Sequence, residues 1–276
     1  MSAAVAAAVG VDDTPPPGTV ERWAWDYIRS IDLEHKLRPP PPPARWETSP
    51  LARRLALPGR PAALQVTHRA PKTPGPEALR APAKRAQLAH TFLHHELQAA
   101  ELMAWALLAF PGSPRAFRRG LVQIAVDEIR HMALYEAYLA SLGHRFGDFP
   151  VRDWFWERVP SAPSPAGFAA VMGMGFEGGN LDHTARFQAR FEAIGDAEGA
   201  AIQAKVCEEE IPHVRFAIRW FRRLASASDF DAWVRHLPPP LSPLVMRGSP
   251  INRRDRARSG FPEEFLDELA RWTERP

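Results

Sequence analysis

Two glutamates in this chain are each followed, about one helical hairpin later, by a Glu-x-x-His. Glu96 precedes Glu128-Ile-Arg-His131 by 32 residues, and Glu177 precedes Glu210-Ile-Pro-His213 by 33. One Glu-x-x-His constrains little. Two of them, each behind a lone Glu on an apolar helical face at a matched distance, restrict the chain to folds that bring two hairpins together. Carboxylates aimed into a core must be paired or must hold a cation, because an isolated buried charge costs many kcal/mol.

The intervening periodicity supplies the hairpins. From Pro82, Leu88, Phe92, Leu93, Ala100, Met103, Leu107 and Phe110 recur at three- and four-residue steps, which predicts a helix stopped by Pro111-Gly112-Ser113-Pro114. A second helix is expected from about Arg115 to Leu142, with Phe117, Leu121, Ile124, Met132, Tyr135 and Leu139 on one stripe and Gly143 as its stop. Residues 143–164 carry Pro150, Pro160 and Pro163 and no long helical period, so they form a crossover. Ser164-Pro165 is an N-cap followed by proline at the first helical position, and opens a third helix to about Ile194. Gly195-Asp196 breaks it, and a fourth runs to about Leu224. The expected fold class is all-α: a four-helix bundle over 81–226 with one long crossover, the ferritin-like connectivity. A Pro-rich N-terminal arm over 1–80 carries one short helix, Val20 to Leu37, and wraps the outside of the bundle. Loops and a short helix, Pro262 to Glu274, fill 227–276.

In an antiparallel hairpin, residues equally far from the turn lie at equal height. Glu96 and Glu128 flank the first turn by about 16 residues each, ~24 Å up the hairpin at ~1.5 Å per residue. In the second hairpin Glu177 and Glu210 are slightly offset. Glu128 shares a face with His131, as Glu210 does with His213. A lone Glu from each of two helices and a Glu-x-x-His from each of two others form the ligand set of di-metal carboxylate bundles. Four converging carboxylates carry −4, which two divalent cations neutralise; oxygen and imidazole donors suit iron or manganese. Asp127 and Glu209 precede a Glu at matching places, and each could accept the free ring N–H of the opposite hairpin's histidine. His94 and Glu101 flank Glu96 as further supporting groups. Tyr135, seven residues past Glu128, is a redox candidate, with core packing as the simpler role. Gly173, Gly175, Gly178 and Gly179 crowd around Glu177, at a cost of ~1 kcal/mol each in a helix, so either a close approach or a local distortion is required. Pro212, inside the second Glu-x-x-His, predicts a kink or a π-bulge.

Composition narrows the rest. The chain has 276 residues, 45% of them hydrophobic, and lacks the run of ~18 apolar residues that a membrane span needs. Its N-terminus, MSAAVAAAVGVDDTPPPG, has neither a basic start nor a strong apolar stretch and reads as a disordered leader. With Cys207 as its single cysteine the chain forms no internal disulfide, which suits a reducing cytoplasm. The net charge of +3 is mild; the arginines of Arg247 to Arg258 read as a solvated loop, with a phosphate or nucleic-acid contact as the alternative.

His94-His-Glu96-Leu-Gln-Ala-Ala-Glu101-Leu, Asp127-Glu-Ile-Arg-His131, Gly147-Asp-Phe-Pro150, Glu209-Glu-Ile-Pro-His213-Val and Pro58-Gly-Arg-Pro61 resemble the uncharacterised bacterial ferritin-like family catalogued as domain of unknown function 455, over roughly 55–225. More distantly, the sequence resembles bacterial di-iron monooxygenases and the tRNA-modifying hydroxylase MiaE. The resemblance implies a ferritin-like fold and a two-metal site of Glu96, Glu128, His131, Glu177, Glu210 and His213. It implies no substrate. The resulting expectation is a cytoplasmic di-iron oxidase or oxygenase that uses O2, an electron-donating reductase and an unknown small-molecule or RNA substrate, with manganese as the other metal and a homodimer as a further expectation. A ferroxidase or peroxide-detoxifying protein, a tRNA-modifying hydroxylase and a metal-free interaction scaffold are the alternatives.

Overall fold

The computed structural model describes residues 14–69 and 72–273. Residues 1–13 of the expected leader and Glu274 of the expected terminal helix lie outside the described residues. Among the described residues the chain is all-helical apart from one isolated parallel bridge, Val66 to Val151. No helix among them is long and apolar enough to cross a membrane.

Two long helices, α3 (Pro82–Ala109) and α4 (Arg115–Ser141), form the first hairpin around the proline-rich turn. The third helix has three parts: α5 (Pro165–Phe168), a π-helical segment Ala169–Glu177, and α6 (Gly178–Ala193). Ser164 caps it by accepting from the Gly167 amide, with Pro165 at the first helical position. It pairs with α7 (Ala197–Ala225), which starts under an Asp196 cap accepting from the Gly199 amide. The four long helices thus make a bundle of two hairpins joined by one crossover.

The expected distortion is present but displaced. Pro212 sits on an exposed position of a continuous α7. The π turn instead occupies the glycine-bearing strip, where the Gly178 amide donates to Gly173 O, five residues back. Both explanations for the glycines hold. A Cβ on Gly173 would lie 2.2 Å from the Ala217 Cβ of α7, and one on Gly175 would lie 2.5 Å from the Met246 sulfur. Helix three is stripped of side chains where α7 and the C-terminal segment press against its backbone.

The arm and the extension share the bundle's core, since one contiguous buried cluster runs from Val20 to Leu269. The arm holds two helices, α1 (Val20–Arg29) and α2 (Leu33–Leu37), because Asp32 caps a new start after Ser30. Trp23, Ala24, Tyr27 and Ile28 of α1 are buried, and α1 packs on α3. In the extension, α9 (Arg253–Ser259) packs on α6 and α7, while α8 (Phe230–Arg235) and α10 (Glu263–Arg271) pack on each other, with Trp233, Phe265 and Leu269 buried. The arginine-rich segment is not a solvated loop. Arg256 is buried, and its Nε and Nη2 donate to the buried Asp182 carboxylate at 2.9 and 2.8 Å. Arg258 pairs with Glu208, Arg253 with Glu263 and Asp267, and Arg247 donates to the carbonyls of Leu269 and Ala270 at the end of α10.

Candidate metal centre

Glu96 on α3, Glu128 and His131 on α4, Glu177 at the end of the π segment, and Glu210 and His213 on α7 are all buried, none more than 5% exposed. Donor atoms of Glu96, Glu128, His131 and Glu210 lie within 4.8 Å of one another, a cluster that could hold a metal ion. Glu128 is the middle of the group. Its Oε2 is 3.2 Å from His131 Nδ1, and its Oε1 is 3.0 Å from His213 Nδ1. Glu96 Oε2 lies 3.6 Å from His131 Nδ1, and Glu210 Oε2 lies 3.2 Å from His213 Nδ1. The Glu177 carboxyl faces Glu210.

Outside this ring the histidines are held crosswise. His131 Nε2 is 2.9 Å from Glu209 Oε2 of the other hairpin, and His213 Nε2 is 3.3 Å from Asp127 Oδ2. A carboxylate only accepts, so each Nε2 donates outward to its strap acid, and each ring turns Nδ1 inward, toward the carboxylates. Arg130 on the surface pairs with Asp127 at 2.5 Å and reaches Glu209 at 3.5 Å, tying the two straps together.

Burial and mutual crowding set the charges of the ring. Burial, then the neighbouring Glu210 and Glu128 charges, pushes the Glu177 carboxyl far above the usual range. Burial does the same to Glu96, although His131 opposes it. Burial also opposes ionisation of Glu128, but His131 and His213 more than offset it and hold that carboxyl well below the usual range. Both imidazoles are driven upward: burial disfavours their charge, and the surrounding carboxylates override it. The ring thus concentrates carboxylates and imidazoles whose charges are set by one another against the cost of burial. Glu177 Oε1 is buried without any hydrogen-bond partner, and Glu128 Oε1, though near His213, is not aligned for a hydrogen bond. Orphaned carboxylate oxygens, inward-facing Nδ1 atoms and an oxygen-rich donor set fit a pair of divalent cations.

The remaining sequence candidates lie apart from this ring. Glu101 turns toward the arm: Lys36 Nζ donates to it at 2.6 Å, Arg60 at 2.7 and 2.9 Å, and Trp156 Nε1 at 2.8 Å. His94 Nδ1 pairs with the Gln98 amide, and its Nε2 is 3.2 Å from Asp153 Oδ1. Tyr135 is buried, accepts from the Gln203 amide at 3.0 Å and packs against Phe92, an arrangement of core packing. Asn180, absent from the sequence candidates, donates to Glu210 Oε1 at 3.0 Å. Its position one helical turn past Glu177 was the available signal.

A cavity of about 330 Å³ opens on the opposite side from the straps. Glu96 and Glu177 form its floor, and Phe92, Trp154, Phe155 and Phe176 much of its wall. Phe155 stacks on Phe176 at 4.9 Å between ring centroids.

A family described as "Protein of unknown function (DUF455)" matches residues 21–267. The chain belongs to this family. The match runs through arm, bundle and extension alike, in keeping with their common core. An uncharacterized protein of Haemophilus influenzae is 25% identical over 159 residues, 56% of this chain and 55% of that protein, so the match spans about half of that relative's length. No solved structure matches.

Proposed function

We propose that this protein is a ferritin-like di-metal protein, with iron as the metal, acting as an O2-dependent oxidase or oxygenase on a small organic substrate. The observation that carries this reading is the juxtaposition of a buried Glu/His cluster and a largely apolar cavity lined by Glu96 of that cluster and by Glu177. A centre that only oxidises or stores iron has no use for an aromatic-walled chamber of this size. Glu96, Glu128 and His131 would hold one ion and Glu177, Glu210 and His213 the other. Manganese suits the same donors.

A bound redox-active pair would supply O2 activation and the oxidation of an organic C–H bond. The chain's own residues do the rest. Asp127 and Glu209 keep the Nε2 protons in place and thereby leave Nδ1 free as a donor. Asn180 fixes the rotamer of Glu210 through its amide. Phe92, Phe155 and Phe176 exclude water from the floor, which strengthens every charge interaction there. The arginines of 253–258 that already hold carboxylates lend no support to an RNA substrate.

The test is elemental analysis of the purified protein, followed by anaerobic Fe(II) loading and exposure to O2. About two metal ions per chain are expected, with absorption changes on O2 addition that Glu128→Ala abolishes. Absence of bound iron or manganese, or a Glu128→Ala protein that behaves like wild type, would falsify the proposal.

A further inference from the structure

The cavity carries its own recognition chemistry at the end remote from Glu177. His183, on α6, lines it six residues past Glu177, ~9 Å along the helix axis. Arg186 stands behind His183 and its Nη2 lies 2.9 Å from His183 Nδ1. A guanidinium only donates, so Nδ1 must be the acceptor, and the neutral ring carries its proton on Nε2. No hydrogen bond among the described residues uses that Nε2. Burial first, and the positive Arg186 beside it second, lower the His183 pKa to about 4 and keep the imidazole neutral.

The rest of the wall selects by exclusion. Among the described lining residues Arg152 is the sole guanidinium or ammonium group, and both its Nε and Nη2 are taken by Glu157, at 3.0 and 2.6 Å. A carboxylate or phosphate entering the cavity meets no uncompensated cation and faces Glu96 and Glu177 at the floor. The aromatic rings favour a flat or apolar body.

Resting on the reading of this cavity as the substrate site, we propose that it takes an uncharged, largely apolar small molecule bearing a hydrogen-bond acceptor, such as a carbonyl or ether oxygen, and that His183 Nε2–H reads that acceptor with its tautomer set by Arg186. His183 is thus a specificity residue and Arg186 its positioning residue. The acceptor lies at one end of the cavity and the carbon to be oxidised at the other.

Three probes separate the contributions: 2-acetylnaphthalene, naphthalene and 2-naphthoate, titrated calorimetrically into the full-length protein, as purified and after metal loading. The ketone should bind about tenfold more tightly than the hydrocarbon, the worth of one donor otherwise left without a partner. The carboxylate should bind more weakly than either. His183→Phe should bring the ketone-to-naphthalene affinity ratio down to about one, while His183→Asn, which keeps a donor, restores part of the ketone's advantage. In Arg186→Leu the imidazole nitrogen NMR signals of His183 should shift from a single Nε2–H tautomer to a mixture. The proposal is overturned if 2-naphthoate binds as tightly as the ketone, if His183→Phe leaves the advantage intact, or if no probe binds. Selective binding by a protein that takes up no metal would sink the oxygenase reading and leave this one standing. Metal uptake without selectivity would do the reverse.

Discussion

Replacing Glu101 by glutamine separates the support of the fold from the support of the metal. Glu101 is fully buried and receives Lys36, itself buried, together with Arg60 and Trp156. Burial opposes its charge, yet Arg60 and Lys36 hold its carboxyl below the usual range. Lys36 goes the other way. Burial lowers its pKa by more than Glu101 raises it, because it shares that carboxylate with Arg60. Glu101→Gln keeps the volume but leaves buried cations facing a neutral amide, a change that costs about 3–5 kcal/mol. Lys36 can shed its proton, and Asp153 still pairs with Arg60, so the lower half of that range is expected. At roughly 2–4 °C per kcal/mol for a chain of this size, Tm should fall by about 6–16 °C. Since the folded pKa of Glu101 is depressed, its contribution is present above the unfolded value of ~4.3 and is lost as pH falls through the folded one. The Tm difference between wild type and Glu101→Gln should therefore shrink in acid. Metal content per folded chain should not change. A Tm within about 2 °C of wild type, or loss of metal at unchanged Tm, would refute the assignment of Glu101 to the arm.

Asp127→Asn and Glu209→Gln should each lower metal affinity about 10–100-fold, measured by competition with a chelator, because each frees one imidazole; equal affinity in both variants would remove the straps from the account. Burial opposes the Asp127 charge, but His213 and Arg130 bring its carboxyl down to about 2, so its strap holds above the unfolded value of ~3.9 and fails only as pH drops through about 2. Pro212→Ala should stabilise the protein by about 1–3 kcal/mol in urea unfolding, since it restores an amide donor at an exposed position of an unbroken helix. Gly173→Ala should destabilise by about 1–3 kcal/mol, because its methyl would sit 2.2 Å from Ala217 Cβ; a neutral outcome would mean that helix three and α7 can move apart freely.

The hairpins were legible because two local codes agree, a 3.6-residue period and explicit stops at Pro111-Gly112 and Gly195. The placement of Asp127 against His213 and Glu209 against His131 was also legible, since each acid precedes a glutamate whose face was already known. What failed was long-range. Nothing local to Glu101 announces Lys36 or Arg60, which come from the arm 65 and 41 residues earlier. Arg256 reads as one more basic loop residue until Asp182, 74 residues away, is seen to match its fork. Proline was the stronger local sign of a distorted helix, but the distortion went to the glycines, where α7 and Met246 crowd the backbone. His183 and Arg186 stayed hidden because their role depends on a cavity that only the crossover completes.

The crossed straps bear on how such a centre assembles as the chain folds. Each histidine is oriented by an acid from the other hairpin, so neither hairpin contains a finished half-site of its own. A hairpin taken alone keeps its Glu-x-x-His but loses the acid that orients the ring, so the two half-sites can be completed only together. Docking of the hairpins and readiness to bind metal are one event.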